Sequence, residues 1–248
     1  MQSKMSIFAK RLQLPRFTKS IGIVGGAGPM ASSFLYRTIL EICQHRYEAN
    51  DYNEFPEIIL LSYPFTRGDA EIIKEEISLA FLRLKIAGAK VFCVASHSFH
   101  GYLPDITNMH FVDLIGETLK KASQLTMSRA LIISAQSTRD QKLYEQGELE
   151  CLYPSMESQR DINNIIREVA QGVITIHQAK ALKGIITQCY QRQPFDGIIL
   201  ACTELPLIHK SFSLSLGDSH PRCPVIDTIE VLAERLVALS AEEVQIDD

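Results

Sequence analysis

GIVGGAGPMASSF, residues 22–34, runs from a short apolar segment through a cluster of glycines into a helix-forming stretch. Gly25, Gly26 and Gly28 let the backbone turn sharply and bring its N–H groups close to an anion. Pro29 suits the first helical position, where a missing N–H is harmless. Strand, tight turn and helix in that order make one βα unit. The turn is not a dinucleotide fingerprint, because Gly26-Ala27-Gly28 is followed by Pro29, Met30 and Ala31 and never reaches its third glycine. It is not a phosphate loop either, since no Gly-Lys-[Ser/Thr] follows. Two readings stay open: a tight structural turn, or a turn that binds a carboxylate.

The alternation continues along the chain. EIILLSY (57–63), KVFCVAS (90–96), RALIISA (129–135), GIILAC (197–202) and CPVID (223–227) repeat the apolar character of IGIVGG (21–26), each bounded by Gly, Pro or polar residues. Continuous runs of this length suit strands buried on both faces of a parallel sheet. Amphipathic segments of helical length occupy 32–47, 69–88, 156–172, 175–192 and 226–241. Asp69 fits an N-cap and Gly88 the C′ position of the second. The order predicts an α/β fold with parallel sheets. Residues 20–113 and 129–210 form two similar sets, each with a strand that leads into a Ser- or Cys-bearing turn: VASHS (94–98) and LACTE (200–204). Two such carboxyl ends facing each other would enclose a ligand between domains. The expected division is a basic, mobile arm (1–19), a first domain (20–115 plus 223–248) and a second (116–222).

Composition excludes several functions. Lys plus Arg number 25 and Asp plus Glu 29, so the chain lacks the basic surplus of a nucleic-acid binder. Its basic residues Lys4, Lys10, Arg11, Arg16 and Lys19 mark the start, and AEEVQIDD ends the chain with acids alone. The start has no apolar region of a secretory signal, and no segment approaches the roughly 18 apolar residues of a membrane span. The six cysteines are scattered with no CxxC pair, which argues against a disulfide scaffold and a zinc site. A cytoplasmic protein with reduced thiols, no metal, no nucleic-acid partner and no membrane partner is expected.

Two strand ends carry candidate chemistry. ASHSFHGY (95–102) brings Ser96, His97, Ser98 and His100 together, either as structural side chains or as a site. LACTELP (200–206) places Cys202 where a strand turns into a helix, with Thr203 as the expected cap and Glu204 in the first turn. A helix N-terminus favours thiolate, although a strand-end cysteine also serves as a small buried hydrophobe.

These motifs, in this order, resemble the aspartate/glutamate racemase superfamily, and within it the aspartate racemase branch, over about residues 21–240. GIVGGAGP (22–29) is similar to the family's opening stretch, and Ala201-Cys202-Thr203-Glu204-Leu205-Pro206 to its late cysteine motif. SAQSTRDQKLYEQGEL (134–149) matches a segment that places Thr138, the stretch beginning YPSMESQ matches one that places Gln159, and PVIDT (224–228) also fits. The resemblance implies two pseudosymmetric parallel-sheet α/β domains around an acidic amino acid, aspartate or glutamate. It implies racemisation without cofactor or metal, in which two cysteines on opposite sides of the α-carbon take and return the α-proton. It also implies a homodimer. The substrate-binding residues it implies are Gly26, Ser62, His97, Ser98, Thr138, Thr203 and Glu204, with Cys202 catalytic.

One departure matters. Ser96 stands where the first catalytic cysteine belongs, and Cys93, three residues earlier, points to the opposite face of a strand. A hydroxyl is a weaker acid than a thiol, so Ser96 is expected to act with help from His97 or from His100 as a relay. A one-cysteine decarboxylase or isomerase, and an inactive amino-acid-binding homologue, are the alternatives. Tyr63 also departs from the family's Asn or Asp; nearby Arg67, and Arg139 after Thr138, are candidate carboxylate partners or solvated surface residues.

Overall fold

The computed structural model describes residues 17–66, 69–214 and 223–241. Most of the basic arm, Arg67 and the acidic tail lie outside the described residues. The chain alternates as expected. Its first half contains β1 (Ile21–Gly25), α1 (Pro29–Tyr47), β2 (Ile58–Ser62), α2 (Ala70–Ile86), β3 (Val91–Val94), β4 (His110–Phe111) and α3 (Leu114–Gln124), with a 3₁₀ turn at Ser98–Tyr102. The second contains β5 (Arg129–Ser134), α4 (Gln136–Asp140), β6 (Glu150–Leu152), α5 (Met156–Ala170), α6 (Ile176–Arg192), β7 (Gly197–Ala201), α7 (Leu205–Phe212), β8 (Val225–Asp227) and α8 (Thr228–Ala241).

The strands form two four-stranded sheets with corresponding orders, β2-β1-β3-β4 and β6-β5-β7-β8. All pairings are parallel. Strands β1, β3 and β7 are buried throughout, which explains why they lack polar alternation. The helix signals act where the sequence puts them. Pro29 occupies the first turn of α1, Asp69 accepts the Ile72 N–H at 3.1 Å, and Gly88 takes a φ of 98° just past α2.

The last strand corrects the expected domain division. The sequence division places CPVID in the first domain, but β8 pairs with β7 in the second sheet, Ile226 opposite Ile199. Only the helix after it returns. Ile229, Leu232, Leu236 and Val237 of α8 join Ile21, Ile23, Val91 and Cys93 of the first sheet in a core that also holds Leu131, Ile133, Ile198 and Leu200 of the second, and the Ser240 hydroxyl donates to the Lys19 carbonyl at 2.5 Å. Helix α3 makes the reverse crossing. It follows β4 of the first sheet, yet Ile115 and Ala122 pack with Ala130, Ile132, Ile199 and Ala201 of the second. The two halves therefore exchange their last helices. Among the described residues, no helix is long and apolar enough to cross a membrane.

Candidate active site

The strand order reverses between β1 and β3, and again between β5 and β7. Such switch points leave crevices at the carboxyl ends of parallel strands. Here the four turns contribute to one cavity of about 730 Å³. Gly26, Ala27 and Gly28 follow β1; Ser96, His97, Ser98 and Phe99 follow β3; Ala135 and Thr138 follow β5; Cys202, Thr203 and Glu204 follow β7. Phe65, Thr66, Ile73, Ile166 and Ala170 complete the lining.

The glycine turn is shaped from two directions. Gly26 has a φ of 105°, and a Cβ there would run into the Tyr63 backbone. Ser32, in the first turns of α1, accepts the Gly26 N–H at 3.3 Å and donates to the Gly28 carbonyl at 3.0 Å. Ser32 is 1% exposed and was not singled out from the sequence. Its signal was a hydroxyl four residues after Gly28, the spacing at which Ser bonds back to a carbonyl. Gly28 itself is a point of contact between the halves: a Cβ there would collide with Glu204 Oε1.

Glu204 anchors the opposite turn. Its Oε2 accepts from the Cys202 thiol and from the Thr203 hydroxyl, each at 3.1 Å. Helix α7 begins only at Leu205, with Glu204 rather than Thr203 in the N-cap position and no side-chain cap. Of the two readings of Cys202, the buried one describes its surroundings: the residue is 7% exposed. Burial, and then the charge of Glu204, push the Cys202 thiol well above its ordinary pKa. Burial thus favours the neutral thiol as the donor in the hydrogen bond to Glu204.

The turn after β3 holds hydroxyls and two unlike histidines. Ser96 Oγ lies 3.4 Å from Ser98 Oγ. His97 is 3% exposed, and neither ring nitrogen has a hydrogen-bond partner. Burial, assisted by His100, lowers its pKa to about 3, so the ring is neutral. His100 is not among the cavity-lining residues. Its Nδ1 lies 2.8 Å from the Ser96 carbonyl, while Nε2 receives the Leu114 N–H at 3.3 Å. Since an N–H can only donate, Nε2 is the acceptor and Nδ1 carries the proton. Both nitrogens are engaged by backbone, so His100 positions the turn and is not the relay expected from the sequence.

Other candidates separate in the same way. Thr138 is buried and lines the cavity. Ser62 does not line it; Ser62 is exposed at the end of edge strand β2, and the Tyr63 backbone meets the glycine turn instead. Arg139 donates to the Pro154 carbonyl at 2.9 Å and stacks on the Tyr153 ring. Gln159 donates to the Ser134 carbonyl at 2.8 Å, fixing α5 to the end of β5. Cys93 is fully buried in the core, away from the cavity lining. All six cysteines are free.

The sequence model of the Asp/Glu/Hydantoin racemase family matches residues 24–236. The chain is 22% identical over 229 residues to the broad specificity amino-acid racemase RacX of Bacillus subtilis, covering 88% of this chain and 96% of RacX. Its fold matches the crystal structure of an aspartate racemase homologue from Pyrococcus horikoshii OT3, with a TM-score of 0.72 at 24% identity, over 91% of this chain and all of that one. It also matches glutamate racemase from Francisella tularensis, with a TM-score of 0.61 at 14% identity, over 90% of this chain and 81% of that one.

Proposed function

Because the chain belongs to the Asp/Glu/Hydantoin racemase family, we propose that it racemises an α-amino acid, with Cys202 acting on one face of the α-carbon and Ser96 on the other. The observation that carries this reading is the hydrogen bond from the Cys202 thiol to Glu204 in a cavity shared with Ser96, on the corresponding turn of the other half. The substrate carboxylate is held by neutral donors of the glycine turn and the surrounding hydroxyls, and its ammonium group faces Glu204. Cys202 passes its proton to Glu204. The resulting thiolate takes the α-proton, and the electron pair left on the α-carbon delocalises into the substrate carboxylate. The Ser96 hydroxyl then donates a proton to the opposite face. Glu204 loses a proton to solvent and Ser96 gains one, which restores the resting charges. The reading calls on no pyridoxal lysine and no metal.

Positioned acid–base groups of this kind contribute about 10²–10⁴-fold to rate. The test is α-proton exchange in D₂O, followed by NMR with both enantiomers of Asp, Glu, Ala, Leu, Met and Phe. Wild type is expected to exchange at least one of them, Cys202→Ala to lose about 10²-fold or more, and Ser96→Cys to gain. Exchange that survives in Cys202→Ala would remove the thiol from the mechanism. No exchange with any substrate would defeat the racemase reading for this set.

A further inference from the structure

Helix α2 is apolar on two sides. Ile77, Ala80, Phe81 and Leu84 are buried, where the helix packs on β1, β2 and the turn at Ser98–Tyr102. Ile72, Leu79, Leu82 and Ile86 lie almost opposite them on a helix of 3.6 residues per turn, and stand 42%, 39%, 52% and 78% exposed. Exposed apolar side chains scattered singly need no explanation. These are four of the twelve large exposed ones among the described residues, and they share one stripe. A surface helix of a single chain needs only one apolar stripe, so the second calls for a partner. Ile72, Leu79 and Ile86 recur every seven residues, the seam spacing of helices that pack on other helices. Their pattern is the same read in either direction from Leu79. Charge follows that symmetry with its sign reversed: Glu75 stands four residues before Leu79 and Arg83 four residues after it, both exposed. The Arg83 guanidinium overlies the Tyr63 ring at 5.3 Å. Such stacking engages the plane of the guanidinium and not the N–H groups at its edge.

We propose that a second copy of this chain docks on this stripe, its α2 antiparallel to the first about a twofold axis through Leu79. Complementarity selects that occupant. Under such an axis Leu79 meets its own copy, Ile72 meets Ile86, and Glu75 of each copy faces Arg83 of the other. A parallel arrangement would instead set Glu75 against Glu75 and Arg83 against Arg83. The contact is isologous, as a closed twofold dimer requires. Burial of four apolar side chains per copy drives association. The two exposed ion pairs add little affinity and set the orientation. Helix α2 is about 26 Å long, enough for an apolar centre with a charged rim. The same helix bears part of the cavity: Ile73 lines it, and Glu76 accepts the N–H of the lining residue Thr66 at 2.9 Å. The proposal is independent of which reaction the cavity performs.

Sedimentation equilibrium on the full chain tests the proposal, with circular dichroism and melting curves to show that each variant is folded. Wild type is expected to dimerise in the micromolar range. Leu79→Glu sets two carboxylates face to face on the axis and is expected to weaken the dimer at least about 30-fold, the effect of losing one dominant contact residue. Glu75→Arg and Arg83→Glu, made singly, set like charges at both ends of the seam and are expected to weaken it about 10-fold at low salt. The two together restore opposite charges and are expected to recover the wild-type affinity. This charge pair carries the test alone if Leu79→Glu does not fold. A wild type that stays monomeric overturns the proposal: a melting temperature lowered by Leu79→Glu then points to a covering segment of the same chain, and an unchanged one to a different partner. A dimer that survives Leu79→Glu lies elsewhere and overturns it too. Single charge reversals without effect, or without recovery in the double variant, overturn the antiparallel pairing.

Discussion

Glu204 holds the site together through contacts of three kinds. It accepts from the Cys202 thiol, accepts from the Thr203 hydroxyl, and sets its other oxygen where a Cβ on Gly28 of the facing turn would stand. The close approach explains why a glycine is needed at 28, where φ is −134° and any residue fits the backbone. Gly28→Ala adds one methyl group that meets a carboxylate oxygen. Overpacking of this kind costs about 1–3 kcal/mol, and the displaced Glu204 can no longer hold the thiol. Urea denaturation should show that loss in Gly28→Ala, with kcat/KM reduced about 10-fold or more. Removing the obstacle should restore the stability. In a double-mutant cycle, Gly28→Ala made in the Glu204→Ala background should be nearly neutral, and two fully additive costs would rule out the collision. The candidate site was legible at this scale through side chains fixed by their place after a strand: Cys202, Thr203, Glu204, Ser96, His97, Ser98 and Thr138 all reach the cavity. What the sequence left open was the surroundings of the thiol. Proximity to a helix start is visible along the chain, whereas complete burial beside a carboxylate is a property of the folded site. Ser62 failed for a related reason: its segment was read correctly as a strand, but side-chain direction at a sheet edge depends on the partner strand.

The segment from Ser96 to Tyr102 joins β3 to the helix exchange by way of His100, which links the Ser96 carbonyl to the first N–H of α3. Two buried neutral histidines in one turn give it a pH dependence. His97 falls from an ordinary 6.5 to about 3, and burial lowers His100 as well. The unfolded chain therefore binds these protons more readily than the folded one. The contribution of His97 to stability is complete above about pH 6.5 and is lost as the pH falls toward 3, and His100 acts in the same direction. Asp227 acts with the opposite sign. Burial raises it from 3.8 to about 6, so its contribution is complete below 3.8 and is lost as the pH rises through 6. Urea midpoints should consequently fall between pH 7 and pH 4.5, roughly the range over which ordinary histidines take up a proton. The fall should be shallower in His97→Leu and steeper in Asp227→Asn. An unchanged slope in His97→Leu would show that its ring is not held neutral by burial. Elements such as this one were only partly legible. The long buried strands and long helices announced themselves through apolar runs and end signals. Strands β4 and β6 did not, since two or three residues at a sheet edge carry no periodic pattern. Helix α3, which directly follows β4, went unread with it.

At the scale of the molecule, the sequence revealed two similar halves but not how they are tied. Which strand pairs with β8, and on which sheet α8 rests, depends on contacts between residues far apart in the chain, and no local pattern records them. The exchange has an energetic consequence. Helix α3 packs on the second sheet, α8 sits in a core that β1 and β3 share with β5 and β7, and Glu234 of α8 forms an ion pair with Arg46 of α1. Neither half can lose its partner's helix and keep a closed core. The fold should accordingly unfold as one unit even though its sheets are separate. Leu232, in the middle of α8, is fully buried. Leu232→Ala opens a cavity in the core that both sheets share and should cost about 2–5 kcal/mol. If the helices couple the halves, amide hydrogen exchange followed by mass spectrometry will register that cost equally in β1 and β3 and in β5 and β7, although the last two belong to the other sheet. If protection falls in β1 and β3 alone, the halves open independently, and the exchanged helices are packing without coupling.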